Sequence, residues 1–137
     1  MRKIQATYRL GALRVCSAFR TVSDDAALII AGTAPIDLLA REAAKIYSQR
    51  RDIAPAEPNR DAIGQRERQQ TMAEWQRRWT ESTKGRWTHT LIPRVEEWCK
   101  RSHGSVNFYL TQLLSGHSCF KAYLHRFGHE IDGECPA

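Results

Sequence analysis

Apolar positions recur at three- and four-residue steps along almost the whole chain, the spacing of one face of a helix. Ile4, Tyr8, Ala12, Val15 and Phe19 form the first such stripe. Ser23, followed by Asp24 and Asp25, predicts a helix start, a hydroxyl cap and then carboxylates on the positive end of the dipole. Gly32 stops that helix, and Pro35 opens the next, whose stripe is Leu39, Ala43, Ile46 and Tyr47. A long polar helix then carries Met72, Trp75 and Trp79 on one face, up to a break at Lys84–Gly85. Leu91, Val95, Trp98 and Cys99 predict a further helix, with Pro93 in its first turn and Gly104 at its end. Val106, Tyr109, Leu110, Leu113 and Leu114 predict another, stopped at Ser115–Gly116. Phe120, Tyr123, Leu124 and Phe127 predict a last short one. No stretch alternates with period two, so the expected fold is all-α, about six to seven helices and no sheet.

The segment DIAPAEPN, residues 52–59, holds two prolines and little apolar content. It predicts a linker between two subregions, 1–51 and 60–128, with an irregular tail at 129–137.

Hydrophobic residues make up 42% of the 137, enough for a core and too many for a disordered tail. The longest apolar run, Ala26 to Ala31, is far short of a membrane span. The charged N-terminal residues lack the apolar block of a secretory signal, so the chain is expected to be intracellular. Four cysteines without a CxxC pair suit an intracellular chain better than a disulfide framework.

The charge of +6 is unevenly spread. Residues 1–20 hold five basic side chains and no acidic one, and residues 60–103 hold ten basic and six acidic. Two basic stretches flanking a slightly acidic one suit a polyanion, and nucleic acid is the commonest. The candidate contacts are Arg2, Lys3, Arg9 and Arg14 in the first stretch, and Arg77, Arg78, Lys84, Arg86 and Trp87 in the second. Tryptophan and arginine together can stack bases and hold phosphates. Their helical spacing favours the plainer reading, that Trp75, Trp79 and Trp98 are core anchors while the arginines face solvent. Trp87, in the loop TKGRWTH, is then the tryptophan placed to meet a partner.

Nothing forms an active site. There is no Gly-rich phosphate loop, no GxSxG elbow and no HExxH. Asp24–Asp25 precedes a helix rather than sitting on a β-turn after an aromatic residue, so capping is its expected role. His117, Cys119, His125, His129 and Cys135 are all side chains that zinc accepts, yet no short ligand pair repeats at finger spacing. Cys135 alone sits in a knuckle-like setting, before a proline in the tail.

Four stretches carry a family resemblance: ALRVCSAFRTVSDDAALIIAGTAPIDLLARE, EWQRRWTESTKGRWTHTLIPRVEEW, HGSVNFYLTQLLSGHSCFKAYLHRFG and the final ECP. Together they resemble the region following the polymerase in Pol polyproteins of insect type-1 non-LTR retrotransposons. The resemblance implies a parent that is a reverse transcriptase joined to an endonuclease, nicking chromosomal DNA and copying element RNA onto the nick. It implies Mg2+ for the parent polymerase, Zn2+ for a downstream CPxC knuckle with Cys135 as first ligand, and a nuclear setting. The implied partners are RNA, DNA and the rest of the polyprotein, with no membrane. The family's aromatic-x-Asp-Asp polymerase motif does not occur here, so no catalytic residue carries over. The expected role is a helical module gripping RNA or DNA. Two alternatives remain open at this point, a scaffold docking on the polymerase and a stand-alone basic nucleic-acid-binding protein.

Overall fold

The computed structural model describes residues 2–51, 60–102 and 104–117, together with His125 and Gly128. The expected linker at 52–59, the stripe from Phe120 to Phe127 and the tail with Cys135 lie outside the described residues. Among the described residues there are seven α-helices and no strand. They are α1 Arg2–Val15, α2 Asp24–Ala31, α3 Ile36–Arg51, α4 Arg60–Glu81, α5 Arg86–Leu91, α6 Val95–Lys100 and α7 Phe108–Ser115.

The short α2 is the hub. Ser23 caps it, its hydroxyl accepting from the Ala26 amide, and Asp24 and Asp25 fill its first turn as expected. Ala26, Ala27, Ile29 and Ile30 are buried together with Leu13 and Cys16 of the α1 end, Trp75 and Trp79 of α4, Ile92, Val95 and Leu114. Residues on both sides of the 52–59 segment thus share one apolar cluster. The Trp79 indole donates to the Ile92 carbonyl at 2.8 Å, giving the buried ring's one polar atom a partner. Trp98 packs at the edge of the cluster, with the Arg101 guanidinium 3.7 Å from its ring centroid.

Three helices end in the same way. The amide after the left-handed residue reaches back five residues, from Ala18 to Leu13, from Thr33 to Leu28 and from His117 to Gln112. Gly32 and Gly116 supply the left-handed residue at two of these ends, but at α1 it is Ser17, at φ 54°. The turn there is held from α7. The Thr111 hydroxyl donates to the Cys16 carbonyl, and the Gln112 amide to the Ser17 carbonyl at 3.3 Å. α1 therefore stops at Val15, short of the Phe19 that the stripe included.

The predicted faces shift in three places. On α1 the core side is Ala12, Leu13 and Cys16, while Ile4 is 58% and Val15 67% exposed. On α3 the buried positions are Leu38 and Glu42, with Ala43 and Tyr47 outside. On α7 they are Thr111, Gln112 and Leu114. The expected helix running through Leu91 to Cys99 is two helices. Pro93 keeps Ile92 out of the helical region, at φ −126° and ψ 73°, and α6 restarts at Val95. The Gln76 side chain spans the gap, accepting from the Val95 amide at 2.8 Å and donating to the Pro93 carbonyl at 2.9 Å. Trp87, expected in a loop, lies in the first turn of α5.

Candidate nucleic-acid interface

Arg66, Arg68 and Arg78 of α4 reach across to α3. The two helices run antiparallel, as pairing of Arg78 with Asp37 at one end and Arg66 with Gln49 at the other requires. Arg78 donates to both Asp37 oxygens, at 3.1 and 2.9 Å, and to Glu74 at 3.2 Å. Arg77 straddles Glu74 and Glu81 on its own helix, at 2.8 and 2.7 Å. Hydrogen bonds from Arg77 and Arg78 hold the Glu74 carboxyl at about 2. The Arg78 hydrogen bond likewise pulls Asp37 below the usual carboxylate range. Further along, Arg68 meets the buried Glu42 at 3.1 Å, and Lys45 meets the buried Glu67 at 3.5 Å. The Gln49 amide donates to Glu67 at 2.9 Å and is the largest cause of that carboxyl's lowered pKa.

Two other candidate cations are also engaged within the chain. Arg9 donates to the Arg20 and Val22 carbonyls at 2.8 and 2.9 Å and pairs with Asp24, tying α1 to the cap of α2. Arg86 donates to the Ser82 carbonyl at 3.0 Å, where α4 leaves carbonyls unpaired. Lys3, Arg14 and Lys84 are exposed, as is Arg20, and their charged groups have no side-chain partner among the described residues. Arg2 begins α1 with its side chain outside the described residues, as is Cys135.

A contiguous aromatic surface lies elsewhere. Phe19, in the turn after α1, meets Phe108 of α7 edge-on at 6.0 Å and His117 at 6.1 Å. Phe108 meets Tyr109 at 5.6 Å, and Tyr109 is 82% exposed. Next to His117 in the chain, Gly116 lies so close to the Trp87 ring that a Cβ there would come within 3.0 Å of it. The Trp87 indole donates to the Leu113 carbonyl at 2.8 Å, and the residue is 49% exposed. The apolar spacing puts Phe19 and Tyr109 on helix stripes, yet both are exposed. One signal pointed outward: Phe108 and Tyr109 are adjacent, and neighbours on a helix diverge by about 100°, so both cannot face inward.

Among the described residues, no group of three or more His, Cys, Asp or Glu side chains could hold a metal ion. No helix there is long and apolar enough to cross a membrane.

The chain is 34% identical over 129 residues to the 115 kDa protein in type-1 retrotransposable element R1DM of Drosophila melanogaster, covering 85% of this chain and 12% of that protein. It is 30% identical over 145 residues to the retrovirus-related Pol polyprotein from type-1 retrotransposable element R1 of Nasonia vitripennis, covering 99% of this chain and 42% of that one. The chain is related to R1 retrotransposon Pol polyproteins. A Bradysia coprophila R1 Pol polyprotein aligns over 93% of this chain and 14% of its own length, at 27% identity. The chain therefore spans less than half the length of each of these R1 relatives. No family model and no solved structure matches it.

Proposed function

We propose that this segment is a non-catalytic helical module that holds RNA or single-stranded DNA for an R1-type Pol polyprotein. In this reading the parent is an RNA-directed DNA polymerase with an endonuclease, and its Mg2+ chemistry belongs to other parts of the polyprotein. A zinc knuckle beginning at Cys135 would follow this module.

The observation that carries the reading is the aromatic surface. Phe19, Phe108 and Tyr109 present rings to solvent where the turn after α1 meets α7, and a folded core has no use for them there. Every base has a face that can stack on such rings, each worth about 1–3 kcal/mol. Arg20 beside Phe19, and Lys84 ahead of Trp87, supply cations for the phosphates. Arg77 and Arg78 fit a structural part better, since three carboxylates already surround them.

The test is a titration of a labelled single-stranded RNA and its DNA equivalent against wild type and Tyr109→Ala with Phe108→Ala. Affinity for both strands is expected to fall about tenfold or more, with the melting transition little changed. An unchanged affinity would remove this surface from the interface.

A further inference from the structure

The face of α1 that the core leaves uncovered is grooved. Ile4, Tyr8, Gly11 and Val15 line a cleft of about 610 Å³, with Thr33 in its far wall and Lys3 at its rim. The Tyr8 hydroxyl donates to the Ala34 carbonyl at 2.8 Å, which fixes the ring as one side. The Thr33 hydroxyl is shielded from water with no hydrogen-bond partner among the described residues. From Ile4 to Val15 the cleft follows α1 for about three turns, the length over which a helix lays an apolar edge into a groove.

We infer that this groove receives an amphipathic helix of a separate polypeptide unit, its apolar edge flanked by Asp and Glu. Charge selects that occupant. Lys3 and Arg14 lie about three turns apart on the same side of α1, both exposed and without side-chain partners among the described residues. Residues 1–20 contain no acidic side chain to compete for them. A basic helix would meet like charge along that edge of the cleft, whereas an acidic flank is drawn to it. Gly11 lets the occupant approach, because nothing lies within 4 Å of where its Cβ would be. The groove is separate from the aromatic surface, so the inference does not depend on nucleic-acid binding.

Two labelled peptides test it, helical twins with leucines along one edge and either glutamates or lysines flanking them. Anisotropy titrations use the whole chain as wild type, Gly11→Trp and Lys3→Glu with Arg14→Glu. The acidic twin is expected to bind wild type about tenfold or more tightly than the basic twin. Gly11→Trp fills the cleft and weakens the acidic twin by about tenfold or more. The double charge reversal inverts the preference. Gly11→Trp should keep the wild-type melting transition and RNA affinity, which separates a blocked groove from a damaged fold or a lost nucleic-acid site. Equal binding of the twins, or no effect of Gly11→Trp, overturns the inference. So does a wild-type dimer in light scattering that Gly11→Trp dissolves, since a second copy would then occupy the groove.

Discussion

The two basic helices, α1 and α4, look alike in charge and differ in what surrounds the charge. On α4, acidic residues three or four positions away, and Asp37 and Glu42 across the hairpin, engage Arg68, Arg77 and Arg78. On α1 no acid is within reach along the helix, and Lys3 and Arg14 have no side-chain partner among the described residues. A net positive count therefore does not locate an interface. The positions of the nearby carboxylates decide whether a guanidinium holds the fold together or faces outward.

The largest expected contrast is in packing. Trp79→Ala, at the buried end of α4, should cost about 3–5 kcal/mol by urea unfolding, with Val15→Ala on α1 within about 0.5 kcal/mol of wild type. Similar costs at both sites would mean that Val15 is covered in solution. A smaller contrast separates the charges. Arg78→Ala breaks a partly exposed bidentate pair and should cost about 1 kcal/mol once solvent screening is allowed for, whereas Arg14→Ala should cost almost nothing. Gly11→Ala, mid-helix with open space above it, should stabilise by about 0.5–1 kcal/mol. A loss there would show that the groove floor is tighter than the structure has it.

The smallest effect is on pH dependence. His89 packs on Trp79 at 5.3 Å, with its Nε2 shielded and without a hydrogen-bond partner among the described residues. Burial lowers its pKa from the usual 6.5, and Arg86 adds to the shift. The unfolded chain then takes up the proton first, so this contribution is intact above pH 6.5 and declines as pH falls below it. His89→Gln should flatten the stability profile between about pH 7 and pH 5. An unflattened profile would place the titration elsewhere.

Much of the fold was legible. Ser23 with Asp24 and Asp25, Gly32, Gly85 and Gly116 mark their boundaries by local chemistry, and the helices form there. The end of α1 was not, because Ser17 takes the left-handed turn that glycine usually marks, and α7 holds it from far along the chain. The faces of α1, α3 and α7 misled for a related reason. Each has a second apolar or polar stripe, and only packing against α2 or α4 chooses between them. Ile4 and Val15 thus lie outside, while Glu42 and Thr111 lie within. At the candidate interface the tryptophans divided as their spacing suggested, Trp75 and Trp79 inward and Trp87 half outward. The meeting of Phe19 with Phe108 joins distant segments and left no trace in local pattern.

The most direct test of the central claim is the salt dependence of RNA binding in two double variants. Each phosphate contact adds about 0.7–0.9 to the steepness of log affinity against log salt. Arg20→Ala with Lys84→Ala should lower that steepness by about 1.4–1.8, while Arg77→Ala with Arg78→Ala loses stability and keeps the wild-type slope. The reverse pattern, with the slope falling only in the Arg77 and Arg78 variant, would contradict the account.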